Sequence, residues 1–345
     1  MRVAVISDIH ANLAALEAVL AHAKAVGYDQ MVCLGDVVGY GPDPVECIDL
    51  VREHCAWSLL GNHDFAVLYE PSNFNKAARE AVFWTRSETL EGGWMRRQID
   101  AAVAGTADPE ARERIVAEFE AKQRDRVDFM FRISPRRILI DRYVCVHASP
   151  SRPVNEYLFA EDVNENGSKL PRNFRLLVLP GPDGKDRGAS ALVGHTHCPG
   201  FILEEPPDPV EVARREAEAA AGAGAADGPG AAFSALLREE SDRHGSNRYD
   251  WVPFPMGLSE WTPTEGDLPP GCRFILNPGS VGQPRDHDPR SSYVILETGE
   301  GGAPDRFTFH RVAYDVARTQ SRIRAFAAQG APLSEWLAQR LEEGQ

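Results

Sequence analysis

Acidic and imidazole side chains recur in five short polar segments of this 345-residue sequence. Asp8 and His10 come first, two residues apart, so that on an extended chain their side chains can point the same way. The other segments contain Asp36; Asn62 and His63; His147; and His195 with His197. Oxygen and imidazole ligands without cysteine suit manganese, iron, zinc or nickel better than copper(I). Together the five segments predict a binding site for divalent cations.

Each of these residues also has an ordinary structural explanation. Asp8 could be the N-cap of a following helix, where aspartate is favoured, and a single histidine after a strand is weak evidence for a ligand. The capping explanation fits Asp8 alone but accounts poorly for Asp8, Asp36 and Asn62 together. Cys198 directly follows His197, but one thiol beside a full set of ligands is more typical of packing than of a zinc site.

The elements that must position these residues are alternating strands and helices. Residues 2–6 form an apolar run typical of a buried strand, and the helix-period pattern that follows extends to residue 26. Strand patterns recur at residues 31–34 and 56–60, with a helix predicted over 44–54 between them. This alternation is typical of βαβ units and a parallel sheet. In such sheets, ligands collect at the ends of the strands.

The later part of the chain is predicted to return to the sheet after two excursions. Residues 70–135 combine aromatic residues with a charged helical stretch and are interpreted as a helical insertion. Residues 204–250 include a low-complexity excursion that cannot bury much side-chain area. Further strands are expected at 137–146, 189–193, 201–203 (beside 189–193), 273–276, 293–296 and 306–312, and helix at 314–343. We interpret residues 1–345 as a single domain.

The composition is that of a soluble globular protein, with 43% hydrophobic and 26% charged residues. No apolar run is long enough to span a bilayer, and we find no secretory signal before the first strand. The net charge of −14 argues against a protein that binds the nucleic-acid backbone, which needs a basic surface. Bound metal ions would nevertheless reverse the local charge and admit a phosphate. Six scattered cysteines favour reduced thiols, and we expect a cytoplasmic protein.

The order and spacing of the five segments resemble the calcineurin-like metallophosphoesterase superfamily, and within it the bacterial phosphodiesterase-like subgroup. The matching motifs are Asp-x-His from Asp8, Gly-Asp at Asp36, Gly-Asn-His-Asp at 61–64, a lone histidine at His147 and Gly-His-x-His at 194–197. The resemblance implies an α/β fold, a four-layer α/β/β/α sandwich with two metal ions at the strand ends. In this chain the sandwich would carry the helical insertion described above.

The resemblance also implies a role for each matching residue. The ligands of the first metal would be Asp8, His10 and His197; those of the second would be Asn62, His147 and His195; and Asp36 would bridge both. His63 would be no ligand but would face the leaving group. Two cations roughly 3.5–4 Å apart can clamp a phosphoryl group and deprotonate water near neutral pH. The mechanistic hypothesis is therefore direct attack by metal-bound hydroxide on small phosphodiesters or phosphomonoesters, without a phosphoenzyme.

Four further residues have suggested roles around the site. If cationic, His63 could stabilise developing charge or protonate the departing alkoxide. Asp64 could orient that imidazole by accepting a hydrogen bond, although a solvated surface aspartate is about as plausible. Asn12 extends the first motif and could contact a phosphate oxygen or cap a helix. Arg285 follows the turn-rich segment 277–282 and could bind phosphate through its guanidinium group.

Two other functions compete with a small-molecule phosphoesterase. A Ser/Thr-type protein phosphatase is disfavoured, because segment 35–41 lacks the acid–arginine pair usual in those enzymes and segment 61–64 ends in Asp64. A non-catalytic scaffold would tend to lose ligands or the catalytic histidine, whereas all eight positions are present here. We expect a small phosphate ester as the partner, no membrane and no nucleic acid. The sequence leaves the oligomeric state open.

Overall fold

Two sheets lie at the centre of the molecule, in a computed structural model that describes residues 1–72, 74–164, 167–181, 184–205, 249–269, 271–299, 303–333 and 335–345. The described strands are β1 (Arg2–Ile6), β2 (Gln30–Cys33), β3 (Arg136–Leu139), β4 (Tyr143–Val146), β5 (Val178–Pro180), β6 (Asp186–Gly188), β7 (Ser190–Leu192), β8 (Gly200–Glu204), β9 (Tyr249–Pro253), β10 (Glu260–Trp261), β11 (Arg273–Asn277), β12 (Ser291–Glu297) and β13 (Arg306–Val312). The described helices are α1 (Leu13–Val26), α2 (Pro44–His54), α3 (Asn62–Leu68), α4 (Lys76–Thr89), α5 (Gly93–Val103), α6 (Pro109–Arg132), α7 (Lys169–Arg175), α8 (Val316–Ala328) and α9 (Glu335–Glu343).

Parallel pairs occupy the middle of both sheets. The first sheet has the order β10-β13-β12-β1-β2, in which β1 and β2 are parallel. The second has the order β3-β4-β7-β11-β8-β9, in which β7 is parallel to both β4 and β11. The carboxyl ends of parallel strands meet at one edge of a sheet, so the loops after β1 and β2 and those after β4 and β7 come together.

Alternating side chains assign the two faces of each sheet. In β1, Val3 and Val5 pack between the sheets with Leu276 of β11, whereas Ala4 and Ile6 pack on the helices α1 and α2. This follows from the two-residue period of a strand, whose successive side chains point to opposite faces. An unbroken apolar run is therefore needed when both faces are covered.

The second sheet repeats this alternation. Its Leu276 faces the first sheet, whereas the neighbouring Ile275 packs in a third cluster with Phe174 of α7. The layers run helix, sheet, sheet, helix, and the predicted four-layer α/β/β/α sandwich is confirmed.

Three strand predictions need correction. Residues 56–60 form no continuous strand. Ser58 and Leu59 make only isolated β-bridges, to Cys33 and Ser134 respectively, and the backbone N–H of Leu60 donates to the Ser134 carbonyl. The predicted strand 137–146 is a hairpin of β3 and β4, which a turn with left-handed φ at Ile140 and Asp141 separates. Segment 201–203 does not lie beside 189–193, because β11 comes between them. Pairing between strands so distant in sequence leaves no local sequence pattern.

Three helices, α4 to α6, occupy most of residues 70–135 and attach to the sandwich through α2. Arg126 forms an ion pair with Asp49 at 2.6 Å, and the Trp94 indole donates a hydrogen bond to Glu46 at 3.0 Å. The C-terminal region is two helices, α8 and α9, rather than one. Most of the excursion 204–250 lies outside the described residues, and the single-domain organisation stays a prediction. Within the described part of the chain, no helix is long and apolar enough to cross a membrane.

Candidate metal centre

The loop after β1 is fastened to the loop after β2 by backbone hydrogen bonds. The amides of Ile9 and His10 both donate to the carbonyl oxygen of Asp36, at 2.9 and 3.0 Å, and Ala11 donates to Val37 at 3.0 Å. Across the second sheet, Gly194 donates to the carbonyl of His147 at 2.7 Å. These contacts hold together loops that are distant in the sequence, so that their side chains meet in one place.

Five of the predicted ligands have strained backbones. Asp8, His10, Asp36, His195 and His197 all have φ between 50° and 69°. This left-handed region is unfavourable for residues other than glycine, and such strain persists mainly where the surroundings impose it. This left-handed backbone conformation directs the five side chains toward one point at the strand ends.

Asp8, His10 and His197 form a first buried cluster. The Nε2 atoms of His10 and His197 lie 3.1 Å apart, and His197 Nε2 lies 3.2 Å from Oδ1 of Asp8. The Nδ1 atom of His197 is 2.5 Å from the carbonyl oxygen of Gln283, so it is the donor of that bond. This bond orients the ring and leaves Nε2 free for a metal.

Asp36, His147 and His195 form a second buried cluster. His147 Nε2 lies 3.4 Å from Asp36 Oδ2 and 3.2 Å from Asn62 Oδ1, while its Nδ1 donates to the Leu34 carbonyl at 2.9 Å. Asn62 reaches this cluster from the first residue of α3 rather than from a loop after a strand. All seven predicted ligands are therefore in or beside the two clusters.

The two clusters suit divalent cations because their ligand atoms converge on one another. Within the described residues, the buried Nε2 of His195 has no hydrogen-bond partner. Buried polar atoms are rarely left unpaired. Each of the two clusters combines carboxylate and imidazole ligand atoms within 4.8 Å of one another. This chemistry fits a hard-to-borderline divalent metal.

Burial and mutual interaction determine the charges of the cluster. Burial alone would raise the pKa of Asp8 and of Asp36, but the facing histidines hold both well below the usual range. Burial opposes charge on His147, yet Asp36 raises its pKa to about 9. Burial lowers the pKa of His195 to about 3 and lowers that of His10 strongly. Two ionised carboxylates among mostly neutral imidazoles form a net negative site, which attracts cations.

His63 packs beside the first cluster. Its ring lies 4.9 Å from that of His10, and Phe74 covers it at 4.8 Å. Burial lowers the pKa of His63 to about 4, so its imidazole is neutral at pH 7. The structure therefore favours a neutral hydrogen-bond donor over the cationic form of the sequence hypothesis.

The interpretation of Asp64 as the residue that orients the His63 imidazole is wrong. Its Oδ2 accepts the backbone N–H of Asp36 at 2.8 Å and of Gly61 at 3.1 Å, and its Oδ1 accepts those of Val37 and Val38. Both carboxylate oxygens are thus occupied by backbone donors. Asp64 is buried and fixes the Asp36 loop, so it is not a solvated surface residue either.

The alternative role of Asn12, as a helix cap, is confirmed. Its Oδ1 accepts the backbone N–H of Ala15 in α1 and the hydroxyl of Thr319, and its Nδ2 donates to the Gly282 carbonyl. A contact with phosphate is not supported, since this amide is buried and already bonded. Burial lowers the pKa of His10, His63 and His197, and the charge of the half-buried Arg285 beside the site lowers these pKa values further.

Two tyrosines at the site escaped the sequence analysis. The ring of Tyr40 lies 4.3 Å from that of His63, and the ring of Tyr157 stacks on His195 at 3.9 Å. Tyr40 stands between two glycines four residues after Asp36, which was a readable signal. Tyr157 has no motif around it. Cys198 is no ligand here: burial raises the pKa of its thiol to about 11, and it contacts the Thr196 and Arg285 carbonyls.

Comparison with known proteins places this arrangement in a family. The profile of the calcineurin-like phosphoesterases matches residues 1–199. Over 342 residues the chain is 27% identical to the uncharacterized protein MJ0912 of Methanocaldococcus jannaschii, an alignment that covers 98% of this chain and 96% of that protein. It is 30% identical to a metallophosphoesterase from Sphaerobacter thermophilus, whose crystal structure matches over 100% of both chains with a TM-score of 0.59. The chain therefore belongs to the calcineurin-like phosphoesterase family, which supports a metal-dependent hydrolase of phosphate esters.

Proposed function

We propose that this protein is a dinuclear metal-dependent phosphoesterase that hydrolyses small phosphodiesters or phosphomonoesters by direct attack of water. The position of Asp36 carries the proposal. Its Oδ2 atom lies 3.6 Å from Nε2 of His10 and 3.4 Å from Nε2 of His147, which belong to different clusters. A carboxylate placed in this way can offset the repulsion between two cations.

The chain's own residues would hold the cations and position the ester. One cation would be held by Asp8, His10 and His197, the other by Asn62, His147 and His195, with Asp36 shared. When bound, two such cations neutralise phosphoryl charge and make water nucleophilic near neutral pH. Manganese, iron, zinc and nickel all suit these ligands.

His63 and Arg285 would act on the ester itself. The neutral His63 imidazole can donate a hydrogen bond to the leaving oxygen, which stabilises the departing alkoxide. The buried Nε of Arg285 has no hydrogen-bond partner in the described structure, and its guanidinium can pair with two phosphoryl oxygens. Location in the cytoplasm and a small ester as partner stay predictions from the sequence.

An activity assay with metal analysis tests the proposal. The protein loaded with Mn²⁺ should hydrolyse bis-p-nitrophenyl phosphate or p-nitrophenyl phosphate and contain about two metal ions per chain. Asp36→Asn should lose both metals and activity, whereas Asp29→Asn, which changes an exposed aspartate at the opposite end of β2, should change neither. If the protein hydrolyses neither compound when loaded with manganese, iron, zinc or nickel, a non-catalytic scaffold would be favoured instead. Preference for phosphopeptides would favour the protein phosphatase.

The stereochemical course tests direct attack. A single in-line displacement by water inverts a chiral phosphorothioate, whereas a phosphoenzyme adds a second displacement and gives net retention. Inversion is expected. Retention would contradict the mechanism without affecting the metal site.

A further inference from the structure

Two arginines and two tyrosines meet beside the metal centre, from four separate parts of the chain. The Arg–Tyr cluster consists of Tyr40 after β2, Tyr157 after β4, Arg285 after β11 and Arg340 in α9. Tyr40 is hydrogen-bonded to Arg340, and both residues lie within electrostatic reach of Arg285 and Tyr157. Tyr40 contacts the rings of His63 and His10 at 4.3 and 4.9 Å between centroids. The cluster therefore begins one ring away from the candidate metal ligands.

Neither guanidinium group is paired with an aspartate or glutamate side chain among the described residues. Nη2 of Arg285 donates only to the side-chain oxygen of Gln283, at 3.2 Å, and its buried Nε is unpaired. Nε of Arg340 donates to the main-chain oxygen of Gln345, the last residue, at 2.7 Å, and its guanidinium carbon lies 4.4 Å from the ring centre of Trp336. None of these partners is an aspartate or glutamate side chain.

Other arginines close to Arg285 are paired with acidic side chains. The nearby Arg311 forms an ion pair with Asp286, and Arg290 forms one with Asp288 at 2.6 Å. The whole chain carries 51 acidic residues against 37 Lys and Arg, so acidic partners are abundant. Two half-buried arginines without an acidic side-chain partner, beside a metal centre in such a protein, indicate a site that an anion completes.

The charges of the cluster also act on one another. Burial and then the charge of Arg285 lower the pKa of Arg340. Burial raises the pKa of Tyr40, while Arg285 and Arg340 oppose this shift. Two like charges in a partly desolvated site repel each other, and a bound anion would relieve that repulsion.

The helix α9 holds Arg340 in place. Leu337, Ala338 and Leu341 are buried in a cluster with Ile323 of α8, next to Tyr40. The backbone N–H of His287 donates to the carbonyl of Gly344 at 3.0 Å, so the end of α9 is attached to the Arg285 loop. The two arginines are thus positioned relative to each other by packing, which is what a binding site requires.

We propose that the Arg–Tyr cluster binds a second phosphoryl group of the substrate, beside the one that is hydrolysed, with Arg285 shared between the two groups and Arg340, Tyr40 and Tyr157 acting on the second group alone. The substrates would then be organic diphosphates or bisphosphates rather than simple monoesters. All four side chains offer donors, and guanidinium groups match phosphoryl oxygens in pairs. This inference rests on the proposed function, since the second group is defined relative to the phosphoryl group at the metals.

Binding of two inhibitors tests the inference without requiring turnover. Titration calorimetry with the Mn²⁺-loaded protein compares inorganic phosphate with methylenediphosphonate, which contains two phosphoryl-like groups. The wild type should bind the diphosphonate at least tenfold more tightly than phosphate. Arg340→Gln should weaken diphosphonate binding at least tenfold and change phosphate binding less than threefold. Arg324→Gln, which removes an exposed arginine from the same helical pair, controls for helix stability and for chelation of Mn²⁺ by the diphosphonate.

Other outcomes would overturn the inference. If Arg340→Gln weakens the binding of phosphate and diphosphonate equally, Arg340 binds the hydrolysed phosphoryl group instead. If neither affinity changes, Arg340 binds neither group. If Arg340→Gln fails to fold, Tyr157→Phe removes only a hydroxyl from an exposed ring and should weaken diphosphonate selectively. Selective binding together with a lack of turnover would contradict the proposed hydrolysis and leave the anion site standing.

Discussion

The carboxylate of Asp64 accepts the backbone N–H of Asp36 at 2.8 Å, so one aspartate holds the loop that carries the other. Three more backbone N–H groups, from Val37, Val38 and Gly61, point at the same carboxylate. Four donors on one side chain fix the loop against its left-handed strain at Asp36. The position of Asp36 between the two clusters is therefore a product of its surroundings.

Asp64→Asn should destabilise the protein and weaken metal binding. The amide can accept with one oxygen only, so its NH₂ group would face backbone donors. Burial and the charge of Asp36 raise the pKa of Asp64 to about 7, so the comparison is made at pH 8, where loss of the charge-assisted bonds should cost roughly 2–3 kcal/mol. Thermal unfolding and metal titration measure the two effects. Asp29→Asn, which removes a carboxylate that accepts one exposed N–H, should change stability by less than about 1 kcal/mol. A fully stable Asp64→Asn protein that lost only activity would contradict this role.

His63→Ala should keep the metals and lose turnover. The ring lies beside the clusters but is predicted to be no ligand, and loss of a proton donor typically lowers rates by about 10²–10⁴-fold. Metal analysis by mass spectrometry and kinetics with p-nitrophenyl phosphate test both parts. His54→Ala, an exposed histidine at the end of α2, should change neither quantity. Loss of metal from His63→Ala would make His63 a ligand.

The metal-free protein should become less stable as the pH falls from 7.5 to 5.5. Burial lowers the pKa of His63 to about 4 and of His195 to about 3, whereas both take up a proton near pH 6.5 when the chain unfolds. In this range the unfolded state binds protons that the folded state does not. Stability therefore falls by about 1.4 kcal/mol for each of these histidines at pH 5.5.

His147 works in the opposite direction. Burial disfavours its charge, but Asp36 raises its pKa to about 9. Its stabilising contribution to the free energy of unfolding is therefore complete below pH 6.5 and is lost as the pH rises toward 9. Asp64 also opposes the losses, because burial raises its pKa to about 7 and it takes up a proton in the folded state over this range. The lowered pKa values of His10 and His197 add to those of His63 and His195, so four groups act against two and the net change is destabilising. Thermal unfolding in EDTA measures it. A melting temperature that rises toward pH 5.5 would show that the imidazoles are charged in the fold.

The sequence was most informative where local pattern and chemistry coincide. The apolar run before Asp8 predicted β1, and the motif residues predicted which side chains meet at the strand ends. Local pattern could not show that β11 separates β8 from β7, because that pairing joins residues far apart along the chain. The hairpin at Ile140 was missed since its left-handed turn contains no glycine.

Residues outside the motifs were the hardest to predict. Tyr157 and Arg340 come near the site only through packing of distant elements, and nothing in their neighbouring sequence indicates it. Asp64 shows the opposite error: its place beside His63 in the sequence suggested contact, but the helix α3 directs the two side chains to different partners.

Gly61→Ala should abolish metal binding even though Gly61 offers no ligand. A Cβ atom there would lie 2.0 Å from Oδ1 of Asp36 and 2.3 Å from its backbone nitrogen, and the backbone contact cannot be relieved by a side-chain rotation. The Asp36 loop would have to move, which separates the two clusters. Overpacking of this kind typically costs about 1–3 kcal/mol.

Gly105→Ala is the matched control, since an added Cβ atom at this exposed turn meets no atom within 4 Å. Metal content after dialysis and the melting temperature of the metal-free protein separate the two effects. Gly61→Ala should lose both metals and melt at a lower temperature, while Gly105→Ala keeps both properties. Full metal content in Gly61→Ala would mean that the loops tolerate displacement, and the exact placement of Asp36 would then matter less than its charge.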